Sequence, residues 1–211
     1  MVAISIDYRS QSRQDVFPQD CVRILQGKQQ VRAHSERLGI DPNRIAAGGG
    51  SAGGHLAAAT ALLPGFEDGD FPDISSMPNA LLLFNPAVIL AKVADHDDLI
   101  DSEKLADIAE RTDGRPQEVS PYHFVRSGLP PTIIFHGTQD EAVPFATVQL
   151  FQKTMTEAGN RCELKAYENQ PHGFFNPGRG KGAPRTEATR QHYEDDQTAR
   201  SVSGVAWLSA T

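Results

Sequence analysis

The chain has 211 residues, 27 acidic and 20 basic side chains, and a formal net charge of −7. That length suits one full core, so a single domain over 1–211 is expected. The modest, dispersed charge with no basic stripe excludes nucleic acid as a partner, and no apolar run nears the roughly 18 residues of a membrane span.

The opening "MVAISIDYRS" carries no charged leader and no cleavage-site pattern, so it is read as a strand over 2–8 rather than a signal peptide. This leaves the compartment open between cytoplasm and secretion. Residues 18–38 place Cys21, Ile24, Leu25, Val31 and Leu38 near helical period. "LGIDPNR" is a turn with Pro42 and Asn43 as breakers, "RIAAGG" (44–49) a short strand, and 52–63 an alanine-rich helix. "FEDGDFPD" (66–73) lacks calcium-loop spacing and reads as a surface loop. Continuous apolar runs at 79–89 and 130–137, a helix at 146–159, a last strand at 162–168 and a terminal helix at 188–209 complete the pattern. Apolar strands alternating with helices predict an α/β fold, a parallel sheet covered on both faces.

The stretch 90–129 is polar, partly helical and too long for a simple connection; it is expected to be a lid-like excursion. Its acidic cluster Asp95, Asp97, Asp98 and Asp101 reads as a helix start rather than a metal site, because acidic side chains favour a helix N-terminus. Cys21 and Cys162 match no metal-ligand spacing and are taken as two thiols.

The chemistry concentrates in "AAGGGSAGGHLAAA" (46–59), where five glycines surround Ser51. Gly49-Gly50-Ser51-Ala52-Gly53 is G-x-S-x-G between a strand and a helix, the setting of a nucleophile elbow. A serine at such a turn has a strained backbone, and Gly49 and Gly53 leave room for it. The turn lifts the hydroxyl to the head of a helix, where the Ala52 N–H can donate to an oxyanion. A phosphate loop would need a P-loop lysine, and a dinucleotide loop an acidic residue at Rossmann spacing; neither is present.

A base and an acid must follow Ser51 in chain order, on loops after later strands. Of the seven histidines, His34 precedes the serine, His55 lies on the helix just after it, and His96 and His123 fall in the excursion. His136 ends a strand ahead of any acid on its loop, and His192 sits on a charged helix face. His172, in "ENQPHGFFN" after the strand 162–168, is the base. Asp140 in "HGTQDEAVP" is the favoured acid, with Glu141 and then Glu168 as alternatives.

"DPNRIAAGGGSAGGHLAAATAL", "HGTQDEAVPF" and "PHGFF" together resemble the bacterial α/β-hydrolase carboxylesterases, especially the group that includes acetyl esterases of decorated polysaccharides. The similarity runs over nearly the whole chain. It implies a three-layer α/β-hydrolase sandwich with a mostly parallel sheet. It also implies cofactor-free hydrolysis of small acyl esters, acetyl esters foremost, through an acyl-serine. The substrate would be a small ester such as an acetylated carbohydrate. Gly50 stands where the hormone-sensitive-lipase group usually carries an acidic residue, which argues against that group. The prolyl-oligopeptidase kind of serine peptidase also shows the "HGTxDxxVP" pattern and remains an alternative.

One departure matters. The family's "HGGG" loop, which supplies further oxyanion donors, has no counterpart, nor do the strands ahead of "VAISIDYR", so the sheet is expected to be N-terminally truncated. The family's third strand lies mid-sheet, and its loss would open a slot beside the elbow strand. Two outcomes are expected: strand 2–8 pairs directly with 44–49, or a homodimer closes the sheet. With Ala52 N–H as the one certain donor, the chain would be a poor esterase or a catalytically impaired scaffold.

Overall fold

The computed structural model describes residues 2–6, 27, 29–65, 71–176, 179–180 and 205–209. Its strands are β1 (Val2–Ile6), β2 (Ile45–Gly50), β3 (Ala80–Phe84), β4 (Thr132–Gly137), β5 (Cys162–Tyr167) and β6 (Val205–Ser209). They form one sheet in the order β1-β6-β2-β3-β4-β5. The run β2-β3-β4-β5 is parallel throughout, whereas β6 is antiparallel to both β1 and β2. The helices among the described residues include α1 (Ser35–Leu38), α2 (Ala52–Leu62), α3 (Ser102–Arg111) and α4 (Phe145–Glu157), and residues 29–33 are helical as well. This is the α/β architecture that the apolar runs predict, and the mostly parallel sheet agrees.

The expected slot is absent. β6 lies in it, with Ser209 opposite both Val2 and Ile45 and Val205 opposite both Ile6 and Gly49. Neither direct pairing of β1 with β2 nor a second copy of the chain is needed to satisfy those two edges. An antiparallel strand can enter without the crossover helix a parallel one requires. Two other expectations are corrected with it: β5 is not the last strand, and 205–209 is strand rather than the end of a helix. Residues 188–204 of that expected helix lie outside the described residues, as do Cys21, most of the 66–73 loop, and 18–26 and Lys28 of the first expected helix.

The core sits where α2 meets the sheet. Ala47, Leu81, Leu83 and Ile134 are buried on one face, and every α2 residue from Leu56 to Leu62 is buried too. A helix apolar all round is one buried all round, and its small side chains let it lie close to the strands. Phe145, at the start of α4, meets the buried His136 ring on that same face. The alternate positions Leu82, Phe84, Ile133 and Phe135 are half-buried on the other face.

β3 is shorter than the apolar run 79–89 suggests. Asn85 turns into the left-handed region at φ 44°, and Pro86 follows, so the ladder stops at Phe84. The excursion 90–129 consists of α3 and two 3-10 turns, Pro116–Val119 and Pro121–Phe124. Asp101 caps α3, its Oδ1 accepting from Lys104 N at 2.7 Å, which accounts for one member of the acidic cluster. The excursion is fastened to α2 at both ends: a His55 Nε2 contact with Val119 O at 2.7 Å, and Arg126 guanidinium bonds to Leu62 O and Ala61 O. A cation on the last carbonyls of a helix complements its negative end.

Candidate active site

Ser51 joins β2 to α2 with φ 54° and ψ −119°, a conformation costly for any residue with a side chain. Its N–H donates to Phe84 O at 2.8 Å, while its carbonyl accepts from His55 N at 3.0 Å and opens the helix. The turn is steric as well as conformational. A Cβ on Gly49 would stand 2.5 Å from the Gly53 carbonyl carbon, and one on Gly50 would stand 2.3 Å from Phe175 Cζ. Phe175 therefore fills the space that a side chain at position 50 would occupy.

The structure gathers Ser51, His172 and Asp140 into one hydrogen-bonded chain. His172 Nε2 is 2.9 Å from Ser51 Oγ, and His172 Nδ1 is 2.8 Å from Asp140 Oδ2. An ionised carboxylate only accepts, so the imidazole proton sits on Nδ1 and the Nε2 lone pair faces the serine hydroxyl. Asp140 Oδ1 accepts from Ala142 N at 2.9 Å and Val143 N at 2.8 Å. Burial by itself would raise the Asp140 pKa. Its hydrogen bonds from His172 and Val143, with the nearby imidazoles, outweigh that and hold it below the usual carboxylate value.

The loops bearing the two partners are laced together. Thr138 N donates to Tyr167 O at 3.0 Å, Gln139 N to Gln170 O at 3.1 Å, and Asn169 N to Thr138 Oγ1 at 2.9 Å. Gly137 permits that approach, since a Cβ there would lie 2.2 Å from Gln170 O. Ala52 N–H, at the exposed start of α2, is the candidate oxyanion donor, because Ser51 N is already committed to Phe84.

The alternative acids stand apart from this chain of bonds. Glu141 is exposed, and its backbone carbonyl accepts from Lys104 Nζ at 3.3 Å; Glu168 is exposed in the turn after β5. His55 and His136 both bind backbone carbonyls, and burial lowers the pKa of each. His192 lies outside the described residues. Cys162 is a free, buried thiol pushed up to about 12. Among the described residues no group of three or more His, Cys, Asp or Glu could hold a metal ion, and no helix is long and apolar enough to cross a membrane.

Sequence reasoning missed two neighbours of Asp140. His136 Nε2 lies 3.3 Å from Asp140 Oδ2 and 3.0 Å from Val143 O, and the Asn85 amide donates to Asp140 Oδ2. The only trace of Asn85 in the sequence is the "NP" pair that interrupts an apolar run.

The chain is similar to known esterases and matches two family models. A family model described as BD-FAE matches residues 1–155, and that of the Dienelactone hydrolase family matches residues 117–200. Esterase 2 of Thermogutta terrifontis, in a structure phosphonylated by sarin, is 43% identical, with 93% of this chain and 72% of that chain covered at a TM-score of 0.75. Its butyrate-bound structure gives 43% identity, coverages of 93% and 71%, and a TM-score of 0.74. Esterase LipQ of Mycobacterium tuberculosis is 29% identical over 176 residues, 75% of this chain and 39% of LipQ. An acetylxylan esterase of Xylanibacter ruminicola is 29% identical over 160 residues, 72% of this chain and 30% of that protein. The chain thus spans about a third of the length of the curated relatives it matches.

Proposed function

The chain belongs to the BD-FAE family, and from that premise we propose that it is a serine carboxylesterase acting on small acyl esters, acetyl esters foremost. The observation that carries the reading is the unbroken relay from Ser51 Oγ through His172 to Asp140, at 2.9 Å and 2.8 Å.

In this mechanism Ser51 Oγ attacks the ester carbonyl as its proton passes to His172 Nε2. Asp140 keeps the Nδ1–H tautomer and stabilises the imidazolium that forms. The oxyanion develops beside the head of α2, where Ala52 N–H meets it. His172 then returns the proton to the leaving alcohol, which departs and leaves an acyl-serine. Water, deprotonated by the same nitrogen, attacks the acyl carbon; the acid departs as Ser51 Oγ takes the proton back from His172. No cofactor enters any step.

Three observations support a small acyl group. The sequence resembles acetyl esterases, one relative is an acetylxylan esterase, and the 43%-identical structure has a butyrate-bound form. An acetylated carbohydrate fits the first two. A 43%-identical esterase that is phosphonylated by sarin also supports a reactive nucleophile in this chain.

Turnover of p-nitrophenyl acetate, butyrate and octanoate by the wild type and Ser51→Ala, with fluorophosphonate labelling followed by peptide mass spectrometry, tests the proposal. The expected result is hydrolysis that favours acetate or butyrate, is abolished in Ser51→Ala, and is accompanied by label on Ser51 alone. Label on another serine would overturn the nucleophile. Fastest turnover of octanoate would overturn the small acyl group.

A further inference from the structure

Asn85 is the most constrained residue beside the candidate site. It is fully buried, it holds a left-handed φ of 44°, and its Oδ1 has no hydrogen-bond partner among the described residues. A strained backbone and an orphaned buried carbonyl are both unfavourable, and where they coincide a compensating role is the first thing to look for. Its remaining polar atoms show what that role is. The backbone N–H is anchored on Phe135 O at 2.9 Å, and the side-chain Nδ2 donates to Asp140 Oδ2. The carboxylate can only accept, so the amide must present its NH2 group to Asp140, and Oδ1 is orphaned as a consequence.

We propose that Asn85 is a positioning residue for the proton relay. Its amide turns the Asp140 carboxylate so that Oδ2 meets His172 Nδ1; the assignment rests on the esterase reading of Ser51, His172 and Asp140. The carboxylate is clamped on both oxygens. Ala142 N and Val143 N hold Oδ1 from its own loop, while Asn85 reaches Oδ2 from the end of β3. The loop bonds alone leave the carboxylate free to tilt about the axis through Oδ1. The Asn85 bond, with His136 Nε2 at 3.3 Å, opposes that tilt and shares Oδ2 with the His172 imidazole at 2.8 Å.

Two variants separate this role from a purely structural one. Asn85→Gly accepts the left-handed backbone and deletes the donor, whereas Asn85→Asp keeps shape and backbone preference but sets a carboxylate against a carboxylate. For p-nitrophenyl acetate, Asn85→Gly should lose about 10- to 100-fold in kcat with KM within about threefold, the loss of a hydrogen bond to a charged group. Asn85→Asp should lose more at pH 8. Its rate relative to wild type should recover towards pH 6, as the facing carboxylates, with His136 and His172 against them, come to share a proton that restores a donor.

A second readout does not depend on turnover: the deshielded proton of the His172–Asp140 hydrogen bond in proton spectra should move in Asn85→Gly. If the wild type hydrolyses no ester, the esterase reading fails while this resonance still tests Asn85. The proposal is overturned if kcat stays within about twofold and the resonance does not move. It is equally overturned if both variants lose activity only in step with their folded fraction, failure to fold included.

Discussion

Replacing Gly49 by alanine tests whether the elbow is a steric device. The new methyl carbon would lie 2.5 Å from the Gly53 carbonyl carbon, 2.6 Å from its oxygen and 3.1 Å from its Cα. Ordinary carbon contacts fall near 3.5–4.0 Å, so β2 and α2 must separate by about 1 Å. All three obstacles are backbone atoms in the first turn of α2, and no rotamer can move them aside. Because Ser51 sits between the two elements, the separation moves its Oγ relative to His172 Nε2, now 2.9 Å away, out of hydrogen-bond range. A misplacement of about 1 Å lowers kcat by about 100-fold. Overpacking of this kind destabilises by about 1–3 kcal/mol, which for a chain of this length lowers Tm by about 2–12 °C. Gly50→Ala is the control. Its methyl would meet Phe175 Cζ at 2.3 Å and Cε2 at 2.6 Å, a ring that can turn away, so both losses should be smaller. Thermal melts and p-nitrophenyl acetate kinetics on the three proteins decide the matter. Wild-type Tm and kcat in Gly49→Ala, or equal losses in the two variants, would refute the steric argument.

Asp140→Asn should lose about 10³- to 10⁴-fold in kcat because the carboxamide no longer enforces the productive imidazole tautomer, whereas Glu141→Gln should stay within about twofold of wild type. Steady-state kinetics check this pair, and the reverse order would transfer the acid to Glu141. Stability should fall as pH drops from 7.5 to 5.5, because burial lowers the His55 and His136 pKa values in the folded state below those of the unfolded chain, which takes up protons near pH 6.5. Each histidine contributes a slope of at most about 1.4 kcal/mol per pH unit in the interval between its folded and unfolded pKa values. Asp140, held below its ordinary value, adds stability at pH above about 4 and none of this slope. Chemical denaturation at several pH values measures it, and a profile flat over that range would contradict the burial argument.

The elbow is legible along the chain, because everything it needs is local. Gly49, Gly50, Ser51 and Gly53 are consecutive or nearly so, the strand precedes and the helix follows, and the glycines answer to backbone geometry rather than to distant partners. His172 and Asp140 were legible for a related reason: the order of strands along the chain restricts which loops can reach the same sheet edge. What lies sideways depends on how the strands pair. The register Phe84↔Phe135 sets the end of β3 beside the end of β4, and so brings Asn85 to an aspartate 55 residues away. No pattern along the chain encodes that meeting. β6 shows the same limit. "VAWLS" reads as the end of a helix, yet a strand of five residues is defined by its neighbours, and its neighbours here are β1 and β2, far upstream in the chain. Local periodicity records the face an element buries, whereas the choice between helix and strand in so short a segment is settled by which unpaired backbone edges it can satisfy.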